Sequence, residues 1–205
     1  MRKNFFLIMS LVFWLYMVIG FSDNWLFDRG QASNSNPGLM IHAFFAFIWF
    51  SFLPIQCLLV RSQRVDLHKK LGIIGVFLYA CFWLTTTYLY VTIYIENGMP
   101  VPLGILNRAL FVYSTCLYLD AFRVRAKNPE RHKTSMIVGA FMLMEPAISR
   151  TTNHLFGKGS EGIWLLSYLI LFGVFTWYFR KINWQLAFGF AIWLLGTANI
   201  ILAMG

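Results

Sequence analysis

Long stretches free of charged side chains alternate with short polar ones along the whole chain. Residues 4–22 carry no charge and predict a first helix from about Asn4 to Phe21. A polar stretch from Ser22 to Gly38, rich in Ser, Asn, Asp and Gly, reads as a loop. Further uncharged runs predict helices over 39–60, 71–95, 162–179 and 182–203. Each is close to the roughly 20 apolar residues that cross a hydrocarbon core of about 30 Å. Two more helices, over 103–122 and 134–153, are interrupted by charge: Arg108 and Asp120 bracket 11 uncharged residues, as do Lys133 and Glu145. Both segments have spanning length and polar boundaries. The pattern therefore predicts an all-α, polytopic integral membrane protein with seven transmembrane helices in one domain over 1–205.

Charge placement supplies the orientation. With the N-terminus inside and the C-terminus outside, the inner segments hold Arg2, Lys3, Arg61, Arg64, Lys69, Lys70, Arg123, Arg125, Lys127, Arg131, Lys133, Arg180 and Lys181, which is 13 of the 17 basic residues. The outer half holds Arg29, Arg108, Arg150 and Lys158. This is the positive-inside arrangement expected of a cell membrane, here a bacterial inner membrane. Composition agrees: 59% of residues are hydrophobic and only 12% charged, against about 25% charged in a soluble domain. The net charge of +9 then reads as an orientation signal with affinity for anionic membrane lipids, not as a nucleic-acid surface. The first helix follows Met1-Arg2-Lys3 with no small-residue cleavage site after it, and reads as an uncleaved signal anchor. Cys57, Cys81 and Cys116 all fall inside helices, so no disulfide framework is expected. No loop has room for a soluble catalytic domain.

Two segments echo each other. HKKLGIIGVFL starts at His68 and HKTSMIVGAFM at His132, with His, Lys, Ile, Gly and Phe coinciding. The hairpin of helices two and three is thus related to that of helices four and five, as a parallel repeat about an axis along the membrane normal. A four-helix core from helices two to five follows, with the others packed around it.

Ionisable residues at membrane depth persist only when paired, solvated or used. His42, Arg108, Glu145, Arg150 and His154 are expected to converge in the outer half of that core, His154 lying at or near a loop. Glu145 precedes Pro146, which disfavours helix before it and predicts a kink. Two roles follow for Glu145. It pairs with Arg108 or Arg150 and fixes helix register, or it exchanges protons near neutral pH in an apolar setting. The second helix has its own proline, Pro54, with Gln56 close by, and kinks in facing helices often open a polar cavity. On that helix His42, Phe45, Trp49, Phe52 or Leu53, and Gln56 form one stripe at helical spacing. The histidines divide into an outer pair, His42 and His154, and an inner pair, His68 and His132, each of which opens a helix. That distribution suits axial ligation of haem b, with Arg108 and Arg150 as anion clamps for its propionates. Zinc is disfavoured, because no histidine has a second ligand at short spacing.

The run HAFFAFIWFSFLPIQCLLV, then HKKLG, then HKTSMIVGAFMLMEPAISR resembles a pattern in an uncharacterised family of bacterial multi-pass inner-membrane proteins. The matching residues are His42, Trp49, Gln56, His68, Leu71, Gly72, His132, Lys133, Met136, Pro146, Ala147 and Arg150; Thr134 stands where the pattern has Arg. A more distant likeness is to transmembrane b-type cytochromes and ferric-reductase-like domains. It implies a four-helix core carrying histidines, although the inner histidines here sit at helix ends.

These residues admit three functions. The first is electron transfer through haem b or a quinone, with His42, His154, Arg108, Arg150, Glu145, Gln56, His68 and His132 as cofactor contacts and His42 and His154 as iron ligands. The second is a small-molecule or proton carrier or sensor built on Glu145. The third is an accessory subunit of a larger membrane complex or homo-oligomer. The redox reading is placed first and the non-enzymatic readings are its alternative.

Overall fold

The computed structural model describes residues 4–97, 102–157, 161–180 and 183–204. Arg2, Lys3, Lys158 and Lys181, which enter the charge pattern, lie outside them. Among the described residues the chain is helical and has no strand. The α-helices are α1 (Phe5–Gly20), α2 (Pro37–Arg61), α3 (Val65–Asn97), α4 (Pro102–Val124), α5 (Pro129–Met142), α6 (Glu145–Phe156), α7 (Glu161–Phe179) and α8 (Trp184–Met204). Four segments are long and apolar enough to cross a membrane: Pro37–Arg61, Val65–Thr92, Gly162–Phe179 and Trp184–Leu202. They coincide with four of the expected spans. α1 is equally apolar but has 16 residues. α4 is continuous and carries Arg108, Asp120 and Arg123.

The fifth expected span, over 134–153, is two helices. α5 ends at Met142 and α6 begins at Glu145. The kink expected at Pro146 is a full break, because several backbone bonds are rerouted at once. The Leu143 N–H turns back to the Ala140 carbonyl at 3.1 Å and the Met144 N–H to the Phe141 carbonyl at 3.0 Å, both one residue short of helical register. The Gly139 carbonyl accepts instead from Ser114 Oγ of α4 at 2.8 Å. Pro146 has no N–H with which to reach the Met142 carbonyl.

The helix boundaries have local causes. Asn36 caps α2 by accepting from the Leu39 N–H at 3.2 Å, with Pro37 in the first turn. Asn128 caps α5 by accepting from the Arg131 N–H at 3.0 Å, again before a proline. The α2–α3 turn passes through Gln63 at φ 61. α3 starts before the expected residue 71, since Asp66 in its first turn suits the helix N-terminus. The polar stretch 22–38, read as a loop, contains a π turn over Asp23–Phe27 and a 3-10 turn over Ala32–Ser35. Asn24 and Asn34 hold them together: Asn24 Nδ2 donates to Asn34 Oδ1 at 2.9 Å, and Asn34 Nδ2 to the Asn24 carbonyl at 2.6 Å.

The chain divides into two compact units, Phe6–Met99 and Met1–Phe5 with Pro100–Gly205. In the first, α2 and α3 form an antiparallel hairpin. Trp49, 1% exposed, packs on Tyr79 at 5.0 Å, and Gly75 lies so close to Phe52 that a Cβ there would stand 2.6 Å from the ring. The stripe read on α2 does face inward: Trp49 and Leu53 are buried, and His42, Phe45, Phe52 and Gln56 half-buried. Trp14 of α1 joins it, donating from Nε1 to Ser51 Oγ at 3.0 Å. Large apolar side chains on the opposite side of α3, such as Ile73, Phe77 and Leu84, are exposed and suit lipid.

In the second unit α4 and α5 are likewise antiparallel, and α8 runs back along α4. Its small residues allow the approach: Gly196 packs on Leu106 and Gly189 on Met142. An aromatic column fills the space beside α7. Phe175 stacks on Phe141 at 5.2 Å, Phe141 on Tyr168 at 4.8 Å, and Tyr168 on Trp193 at 4.4 Å.

Candidate functional site

The α5–α6 break places Glu145 at the start of a helix inside the second unit, 1% exposed. Neither of its carboxyl oxygens completes a hydrogen bond among the described residues. The Asn107 amide of α4 and the Trp164 indole of α7 face this carboxyl, and Tyr168 stands one turn after Trp164. Buried atoms of these neighbours are unpartnered as well: Asn107 Oδ1, Trp164 Nε1 and Tyr168 OH. Trp193 Nε1 and Thr197 Oγ1 of α8 are in the same condition, with Trp193 stacked on Tyr168. Buried polar groups are normally hydrogen-bonded, so this concentration of unpaired atoms in one region marks an unfinished polar site. Among the described residues no hydrogen bond joins Glu145 to Arg108 or Arg150.

The other anticipated residues distribute as follows. Arg108 is half-buried beside Asn107. Arg150 and His154 lie on α6 and are exposed, so they do not share the burial of Glu145. His154 is near a loop rather than in one: it lies in the last turn of α6, which runs to Phe156 and ends at Gly157, whose φ of 81 suits glycine. His42, Gln56 and His68 belong to the other unit. Gln56 has both amide atoms buried and without a partner among the described residues. His68 is half-buried in the first turn of α3.

Two histidines have defined tautomers. Thr86 Oγ1 donates its only proton to the Phe82 carbonyl at 2.7 Å, so at 3.3 Å from His42 Nδ1 it can only accept. His42 therefore carries its proton on Nδ1 and keeps a lone pair on Nε2, with its ring against Phe82 at 5.5 Å. His132 Nδ1 stands 3.0 Å from the Ala121 carbonyl, which only accepts, and the same tautomer follows. Burial holds the His132 imidazole below its ordinary pKa, the Ala121 bond opposes this, and Arg125 and Lys133 add to the lowering.

A second polar cluster lies at the far end of this unit. Arg131 holds Asp120 bidentately, Nη2 to Oδ1 at 2.6 Å and Nε to Oδ2 at 2.8 Å. Ser135 Oγ donates to Asp120 Oδ2 at 2.9 Å, and Gln185 Nε2 donates to Ser135 Oγ at 2.8 Å. Tyr113 OH donates to the Gln185 carbonyl at 2.6 Å. The cluster is satisfied throughout and ties α4, α5 and α8 together.

Sequence reasoning singled out Glu145 but missed Asn107, Trp164, Tyr168, Trp193 and Thr197. The usable signal was the pairing of a polar-tipped residue with another four positions on, at 164 and 168 and at 193 and 197. Groups of three or more His, Cys, Asp or Glu able to share a metal ion do not occur among the described residues. In the other unit, a groove of about 480 Å³ is lined by Asn36, Gly38, Tyr88, Thr92 and Glu96 and includes none of the anticipated residues. Compared with known proteins, the chain matches no family model, no curated protein and no solved structure.

Proposed function

We propose that the chain is a seven-crossing protein of a bacterial inner membrane, N-terminus inside, that works as an ion-linked carrier or sensor through Glu145. α1, α4 and the broken α5–α6 segment supply the three crossings beyond the four apolar helices. The basic turns at Arg61–Lys70 and Arg123–Lys133 support the sidedness. Gly75 and Gly139, equivalent in the two echoing segments, each sit where their helix presses on the preceding one, against Phe52 and Tyr118 respectively. That match supports the internal repeat.

The observation that carries the function is a carboxyl buried at a broken helix and faced by the neutral Asn107 amide and Trp164 indole rather than by a cation. A buried charge without a partner costs several kcal/mol, so the group is neutralised by a proton or by a bound cation. Irregular backbone at membrane depth is tolerated where it is enclosed by protein or lines a cavity, and interrupted helices are where carriers place their ion and substrate sites. The test is infrared difference spectroscopy of the protein in lipid across a pH step. A protonated-carboxyl band that titrates in the wild type and vanishes in Glu145→Gln supports the reading. An identical spectrum in both proteins refutes it.

One observation favours a second reading, electron transfer through haem b or a quinone. His42 is anchored through Nδ1, which leaves Nε2 available, as in histidine ligands oriented by an outer hydrogen bond. Oxidised and dithionite-reduced optical spectra of the purified protein decide it: a sample with neither a haem absorption band nor extractable quinone ends this reading.

A further inference from the structure

Glu145 is not alone in lacking a partner; oxygen acceptors gather around it. Its two carboxyl oxygens and Asn107 Oδ1 are buried and unpaired among the described residues, and the Tyr168 hydroxyl, one turn after Trp164, is buried and unpaired too. The Met142 carbonyl, three residues earlier at the C-terminal end of α5, has no helical donor because Pro146 stands four positions on. A helix C-terminus carries partial negative charge, and unwound carbonyls at helix breaks are cation ligands. A proton on Glu145 satisfies one of these acceptors at a time; a metal ion satisfies several together.

The charge balance selects the class of ion. Glu145 is the one carboxylate in this set, so a monovalent cation leaves the buried region neutral. A divalent ion leaves an uncompensated positive charge in an apolar surround, and Ca²⁺ usually draws on several carboxylates. The ligands are all hard oxygens, which disfavours soft transition metals.

We propose that the break between α5 and α6 binds an alkali metal cation, with the Glu145 carboxylate, Asn107 Oδ1, the Tyr168 hydroxyl and the Met142 carbonyl as its oxygen ligands. This rests on the assignment of the working site to Glu145 and names the ion it takes. The indole N–H groups of Trp164 and Trp193 donate and do not ligate a cation; that of Trp164 faces the Glu145 carboxyl.

The experiment is thermal unfolding of the purified full chain in detergent, at fixed pH and ionic strength, as NaCl replaces choline chloride. The wild type is expected to show a saturable rise in midpoint with Na⁺. Glu145→Gln is expected to abolish the response, and Tyr168→Phe and Asn107→Ala to raise the half-saturating Na⁺ concentration by about tenfold each. Unchanged helicity and elution verify that each variant folds. If Glu145→Gln does not fold, the two neighbour variants carry the test alone. A wild type insensitive to the exchange of choline for Na⁺, or variants that respond as the wild type does, overturns the proposal. A titrating carboxyl band with no Na⁺ response sinks the metal site and leaves the protonatable carboxyl standing, so the two failures are distinguishable.

Discussion

Ser135→Ala isolates the buried half of the polar cluster that ties α4, α5 and α8 together. Ser135 is fully buried, donates to Asp120 Oδ2 at 2.9 Å and accepts from Gln185 Nε2 at 2.8 Å. A hydrogen bond to a charged acceptor contributes roughly 1.5–3 kcal/mol and a neutral one about 1 kcal/mol. The loss is not the full sum, because Gln185 Nε2 already stands 3.5 Å from Asp120 Oδ2 and closes on it when the hydroxyl is gone. The void left by one oxygen is small. The expected destabilisation is about 2 kcal/mol. The Arg131 side of the same carboxylate behaves differently, since the arginine side chain is 56% exposed. Exposed ion pairs contribute little and are screened, so Arg131→Ala is expected to leave stability near the wild-type value and to lose its residual effect in high salt. The assay is reversible unfolding in mixed micelles by denaturing detergent, comparing wild type, both single variants and the double. An inversion of the order, with Arg131→Ala the more damaging change, refutes the view that the buried hydroxyl and not the surface pair holds the three helices.

Other expectations follow from the same geometry. Gly196→Ala drives a Cβ to within 2.5 Å of Leu106 and is expected to destabilise by roughly 1–3 kcal/mol, while Gly173→Ala, which meets open space, is expected to be neutral in the same unfolding series. The His132 imidazole has a folded pKa below its unfolded one, so the unfolded chain takes up the proton first as pH falls. This contribution to stability is constant above the ordinary histidine value of about 6.5 and shrinks below it; His132→Gln is expected to flatten that part of the stability–pH curve. For sidedness, Lys127→Cys and Asn34→Cys in intact cells are expected to be protected from and labelled by an impermeant thiol reagent, respectively; the reverse pattern overturns the orientation.

How much was legible in the chain depended on whether the cause was local. The stripe from His42 to Gln56 was readable because helical periodicity depends only on sequence spacing. The interruption at Pro146 was readable because a missing N–H is a property of one residue. Its extent was not: the break needs Ser114, on another helix, to take up the Gly139 carbonyl, and no spacing announces that. The surroundings of Glu145 were hidden for the same reason. Asn107, Trp164 and Trp193 come from three helices scattered over almost 90 positions of sequence, and each looks like ordinary span filling in its own segment. Asp120 was noticed only as an interruption of an apolar run. Its partner Arg131 lies across the turn over 125–128, a pairing that becomes visible once α4 and α5 are known to be antiparallel.

The length of α3 has a consequence outside the protein. Its 33 residues extend about 50 Å, against a hydrocarbon thickness of about 30 Å. The surplus must project into water or be absorbed by leaning, and the angle of lean depends on how thick the surrounding lipid is. α3 therefore works as a ruler. Thinner lipid leaves more of the helix to project or lean and thicker lipid less, so acyl-chain length is expected to change how far the Tyr88–Glu96 end stands above the membrane.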